Sequence, residues 1–386
     1  MTKTRKSLKK IAVAAMAIIT AAAMSATVAP IEYSIASSEQ TAAETGDMVS
    51  VNAGGEYLEG QLIVTYADEG LSEDTAAEVD AAAEDSVHEA GAEIKREIVQ
   101  ASEDEGTTVV AKTEEGVTTA EAIEMLRGAE GIEAVQPNYI YGLLDDTTVI
   151  PMEEAEEPEA DSSDEGTGED IVDEDTDEDD GEAEVLGKDP YNTNGLSGQY
   201  YLYSTKATTA WSRGTKSSGK VTVAVLDTGC RVTHEDIKGN LARDPNGNSL
   251  AWDAVGEQAL RKIGSNGDVH GHGTHVCGIV AATANNGKGI AGVSYNARLL
   301  PINVFTRFAS GAVSAYSSDI IAAYNYMDKK IHDGKLTNLR VINMSLGGIR
   351  STASYPDANS SDALLEKEIK HLREEHKVLT ICAGGN

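Results

Sequence analysis

KVTVAVLDTG (220–229) is a run of apolar residues at successive rather than alternate positions, closed by Asp227 and a Thr-Gly turn. That pattern reads as a strand buried on both faces, which needs helices on either side of its sheet. The downstream sequence supplies them. ARLLPINVF (297–305), RVINMSLGG (340–348) and KVLTICAGGN (377–386) repeat the strand pattern, separated by amphipathic helical stretches over 273–285, 318–333 and 361–376. Strands and helices in alternation from Asp189 onward predict a parallel α/β sheet. In such sheets reactive groups gather beyond the carboxyl ends of the strands, where Asp227, residues 345–348 and Asn386 fall.

Upstream the texture differs. EYLEGQLIVTYADEG (56–70) alternates as a strand and is followed by a helix over 75–92. A strand pair near 94–99 and 107–111, a helix over 119–127 and a last strand IEAVQPNYIYG (132–142) complete the unit. The order strand, helix, strand, strand, helix, strand predicts a small α+β split βαβ domain over 55–144, with two helices on one face. Between the two units, residues 145–187 carry about twenty Asp and Glu between Asp145 and Glu184. Such a segment buries too little apolar surface to offset its ordering entropy, so it reads as a disordered acidic linker rather than a calcium-collecting tail. It accounts for much of the net charge of −33, a field that excludes nucleic acid as a partner.

The first residues combine Lys3, Arg5, Lys6, Lys9 and Lys10 with an apolar run over 11–24 and small residues around 26–29. This predicts a secretory signal peptide (1–29), a mobile segment (30–54), and a secreted or cell-surface chain without a membrane span once the signal is removed. The three cysteines, Cys230, Cys277 and Cys382, are too few and too odd in number for a disulfide framework, and all three read as buried thiols.

Chemistry concentrates in two motifs. Asp227 ends an apolar strand, where a carboxylate is costly unless a cation or hydrogen-bond donor faces it. In HGHGTHVCGIVAA (270–282), His272 stands between glycines at the start of a helix. An aspartate beside an imidazole fixes its tautomer and equips it to take a proton from a hydroxyl. Zinc ligation by His270, His272 and His275 competes poorly, because the two-His, one-Glu helix spacing of zinc hydrolases is absent; His270 and His275 read as packing and hydrogen-bonding residues.

VAVLDTG, HGHGTHVCGIVAA, VINMSLGG and ICAGGN, in that order, resemble the subtilisin-like serine proteases over roughly 189–386, and the domain ending VQPNYIYG resembles their inhibitory propeptide. The resemblance implies a three-layer subtilisin-like α/β domain, incomplete here over 188–386, behind a ferredoxin-like propeptide. It implies Asp227 as the residue orienting His272, His272 as general base and then acid, and Asn386 as the oxyanion donor. Ser345, Leu346 and Gly347 would form the edge that pairs with an extended protein or peptide substrate, with Ala383, Gly384 and Gly385 on the opposite wall. The propeptide would act as the chain's own inhibitor. Catalysis would need no cofactor, but Asp236 and Asn286, with the loop 285–289, match a structural calcium site. The family's serine follows its asparagine in a Gly-Thr-Ser segment, which is not found here, so the resemblance also implies truncation before the nucleophile and no hydrolysis by the chain as it stands. A non-catalytic secreted inhibitor or acidic binding module is the other reading of the missing serine.

Overall fold

The computed structural model describes residues 49–52, 55–101, 106–143, 189, 198–212, 221–264, 266–348 and 362–383. The signal peptide, the acidic linker, and Gly384, Gly385 and Asn386 lie outside the described residues. Part of the segment expected to be mobile is a strand: β1 (Val49–Asn52) pairs antiparallel with β2 (Gly55–Tyr66), with Asn52 opposite Gly55.

The N-terminal unit continues with α1 (Glu73–Glu89), β3 (Ala92–Glu97), β4 (Thr108–Thr113), α2 (Thr119–Leu126) and β5 (Ile132–Leu143). Its strands lie in the order β5, β2, β4, β3, all antiparallel. The two-residue period decides what each face meets. In β2, Leu62, Val64 and Tyr66 pack under α1 and α2 with Val109, Ala111 and Leu126. Ile63, between them, points the other way and joins Val110 and Ile98 in a core shared with the second unit. Helix α2 starts where Thr118 accepts from the Glu121 N–H and the Glu121 carboxylate accepts from the Thr118 N–H, a reciprocal cap.

The second unit runs α3 (Tyr200–Ser204), α4 (Ala207–Ser212), β6 (Thr222–Asp227), β7 (Trp252–Asp253), β8 (Gln258–Ala259), α5 (His272–Ala281), β9 (Arg298–Asn303), β10 (Phe305–Arg307), β11 (Val313–Tyr316), α6 (Ser317–His332), β12 (Leu339–Met344), β13 (Leu346–Gly347), α7 (Ala363–Glu375) and β14 (Leu379–Cys382). Among the described residues its sheet has the order β14, β12, β6, β9, β7, β8. Every pairing is parallel except β7 with β8. Every residue of β6 is buried. Val223 and Val225 face the layer of α3, α4 and α5, whereas Ala224 and Leu226 face the layer of α6 and α7. The three-layer α/β expectation is met, and parallel pairing brings the carboxyl ends of β6, β12 and β14 to one rim.

Two units join through strands as well as cores. β5 extends the first sheet into the second unit by pairing antiparallel with β11 and β13.

Candidate active site

Asp227 is the last residue of β6 and is fully buried. Its two carboxylate oxygens stand 2.8 and 2.9 Å from Nδ1 of His272, and Oδ1 also accepts the Thr228 N–H at 2.7 Å. His272 opens α5, after Gly271 in the left-handed region at φ 115. Gly273 is required for this approach: a Cβ there would lie 2.0 Å from the Gly229 carbonyl oxygen and 3.1 Å from Asp227 Oδ1. With a carboxylate against Nδ1, the imidazole carries its proton on that nitrogen and leaves Nε2 as the basic one.

The turn that presents His272 is organised by Asp268, a residue that no sequence motif singles out. Asp268 Oδ1 accepts from Thr228 Oγ1 (2.9 Å), His270 N (2.9 Å) and Gly271 N (2.7 Å), and Oδ2 accepts from Thr274 N (2.9 Å) and Thr274 Oγ1. Thr228 Oγ1 in turn accepts the Gly273 N–H at 2.9 Å. One buried carboxylate therefore ties the end of β6 to the start of α5. The signal available in the sequence is an Asp a few residues before a glycine-flanked helix start, where an Asx-type turn is favoured. It lies in the segment 242–268, which offers no periodicity to read. His270 departs from expectation: its backbone makes a hydrogen bond, but its buried Nδ1 has no hydrogen-bond partner. Burial, then the neighbouring His272, lowers its pKa.

Register places the other predicted residues along the same rim. Met344 pairs with Leu226 on one side and with Cys382 on the other, so Ser345 and Ala383 follow beside Asp227 on neighbouring strands. Ala383 N donates to Met344 O at 3.1 Å. The edge formed by Leu346 and Gly347 is paired antiparallel with Leu143 and Gly142 of β5. Cys230 and Cys277 are buried, and burial raises the Cys277 thiol well above its usual pKa; Cys382 is exposed, a correction, and ends β14, the outermost strand of its sheet among the described residues.

Asp236 and Asn286 also meet. Asn286 Nδ2 donates to Asp236 Oδ1 at 2.7 Å and Ile290 N to Oδ2 at 3.0 Å. A third residue joins them: Asp189 accepts from the backbone N–H groups of Asn285, Asn286 and Gly287. Gly289 (φ 46) allows the tight wrap, since a Cβ there would lie 2.4 Å from Asp236 Oδ2.

The sequence profile of the subtilase family matches residues 218–386, and that of the fervidolysin N-terminal prodomain matches residues 43–138. An intracellular serine protease of Paenibacillus polymyxa is 34% identical over 181 residues, 47% of this chain and 45% of that protein. An extracellular basic protease of Dichelobacter nodosus is 34% identical over 169 residues, 38% of this chain and 27% of that protein. The crystal structure of fervidolysin from Fervidobacterium pennivorans, a keratinolytic enzyme related to subtilisin, shares the fold with a TM-score of 0.53 at 22% identity, covering 88% of this chain and 41% of that one. The chain spans less than half the length of these relatives.

Proposed function

Because this chain carries a subtilase-family domain over 218–386 behind a fervidolysin-type prodomain, we propose that it acts as a subtilisin-like serine endopeptidase held in check by that prodomain. The contact of Asp227 with His272 Nδ1 at 2.8 Å carries the reading. In this scheme Asp227 holds the ring and offsets the imidazolium charge, Nε2 of His272 takes the proton of a serine hydroxyl, and the same nitrogen returns it to the leaving amine. Asn386 would donate its amide to the oxyanion. The edge at Leu346 and Gly347 would hold an extended substrate by strand addition, with Ser345, Ala383, Gly384 and Gly385 around it. The antiparallel pairing of β5 on that edge supports inhibition by occupancy: the prodomain already makes the hydrogen-bonding arrangement a substrate would need.

Relatives that are proteases do not favour an inhibitor or acidic binding module. The test is cleavage of unfolded casein by the protein as the cell makes it, against His272→Ala. A fall of roughly 10⁴-fold in kcat with the fold retained is expected, and a rate within about tenfold of wild type would overturn the proposal.

Export rests on the basic and apolar N-terminus, since relatives include both extracellular and intracellular proteases. No helix among the described residues is long and apolar enough to cross a membrane. N-terminal sequencing of protein from culture medium and from cells checks this proposal. Finally, Asp189, Asp236 and Asn286 bring two carboxylates and an amide, the ligand types calcium takes, to one tight loop; their oxygens here accept N–H groups, which a bound ion would replace. Binding there would fix the loop 285–289 against the chain near Asp189 and Asp236. EGTA is expected to lower Tm for the wild type and to leave Tm of Asp236→Asn unmoved.

A further inference from the structure

On the face of the sheet opposite α5, three imidazoles converge on one carboxylate that the proposed chemistry does not use. Asp328 is buried in the penultimate turn of α6. Its Oδ2 stands 2.9 Å from His371 Nε2, and its Oδ1 stands 2.6 Å from His376 Nε2 and 3.4 Å from His332 Nδ1. His371 lies in α7, and His376 caps its end. The rings of His332 and His371 each meet that of His376 edge to face, at centroid separations of 5.5 and 6.0 Å.

We propose that Asp328, His371 and His376, with His332 beside them, bind a divalent transition ion of the zinc class that clamps α6 to α7. One donor would satisfy this carboxylate far more simply than three imidazoles from two helices. The ligand atoms of Asp328, His371 and His376 all lie within 4.8 Å of one another, whereas tetrahedral zinc holds its ligand atoms about 3.3 Å apart. Small side-chain rotations close that difference: the ring nitrogens draw together while each moves slightly back from the carboxylate. Asp328 and His332 are four residues apart on one helix and so share a face, which places His332 within reach as a fourth ligand. Nitrogen donors with one carboxylate select zinc-like ions over calcium or magnesium, which prefer oxygen. Access is open, since the side chains of His371 and His376 are 35% and 20% exposed while Asp328 is covered.

The consequence falls on β14. The chain passes from His376 through Lys377, held in the left-handed region at φ 59, straight into that strand. A clamp at the end of α7 fixes where β14 begins and so helps seat Ala383 at the rim. The site stands independently of the proteolytic reading.

The experiment is calorimetric titration of the full chain with zinc chloride near neutral pH, with calcium present throughout, alongside thermal unfolding and the visible spectrum after Co²⁺ addition. One saturable zinc per chain, a raised Tm and a tetrahedral Co²⁺ spectrum are expected. His371→Gln, which leaves His376 on Asp328 and so keeps the fold, is expected to weaken binding by at least about tenfold, and Asp328→Asn likewise. His272→Ala should bind as the wild type does. Absence of saturable binding, or zinc affinity unchanged by His371→Gln and Asp328→Asn, would overturn the proposal and leave the cluster as an ion-pair group; loss in His272→Ala would place the ion at the other histidines instead.

Discussion

Asp268 shows what one side chain can organise. Its two oxygens accept five hydrogen bonds, three of them from backbone N–H groups at the turn into α5. Its hydrogen bonds go to Thr228 and to the turn that carries His272, so it acts on the acid–base pair chiefly by holding that turn in place. Asp268→Asn turns one acceptor oxygen into a donor facing N–H groups already present, which forces the turn to shift. Since misplacement of a reacting group by about 1 Å costs on the order of 10²-fold in rate, kcat is expected to fall by about that factor with KM little changed. A loss as deep as that of His272→Ala, or none, would count against this role. At this scale the sequence is partly legible: Asp227 and His272 stand out because each is costly where it stands. Asp268 does not, because its cost is met by partners a few residues away that only the folded turn brings round.

Elements are easiest to read where burial imposes a period. Residues 317–332 and 119–126 are helical close to where the pattern places them: each opens on a polar first turn, and whereas 119–126 buries one face, residues 317–328 are buried all round and only the last turn reaches solvent. The short strands β7, β8, β10 and β11 leave no such signal, since two to four residues carry no period, even though β7 pairs with β8 and β10 with β11 across short connections. The junction of β6 with α5 depends on one glycine. Gly273→Ala would drive a methyl into the Gly229 carbonyl and toward Asp227, so α5 must move away from the strand end and carry His272 with it. Activity is expected to fall by roughly 10²-fold or more while far-UV circular dichroism stays unchanged. Retention of full activity would mean that the strand end yields instead.

The two units meet across a polar seam set in an apolar core. Gln136 and Tyr141 donate to Asp362, which also caps α7, and Asn138 exchanges hydrogen bonds with Ser318. Arg96 of the first unit pairs with Asp319 of the second at 2.5 Å. Burial pushes the Asp319 carboxyl up from 3.8 to about 6, outweighing the opposite pull of Arg96. The folded chain thus holds this proton more tightly than the unfolded one. Its contribution to stability is present in full below pH 3.8 and is lost as the pH rises through about 6. A rise from 3.8 to about 6 corresponds to on the order of 3 kcal/mol. Asp319→Asn is expected to remove that pH-dependent part, so wild-type stability minus variant stability, from urea unfolding, should decline between about pH 4 and about pH 7. A flat difference would refute it.

The alternation of buried strands with helices, the acidic stretch between two units, and the pairing of an aspartate with a histidine were all determined by the sequence itself. They rest on local patterning: the period of apolar residues and the cost of a charge at the end of a buried strand. The strand β5 lying on Leu346 and Gly347, the three imidazoles around Asp328, and Asp189 reaching the loop 285–289 were decided only by the tertiary structure. Each joins residues far apart in the chain, and a contact of that kind leaves no local trace, because its energy is realised only once packing has brought both partners to one place.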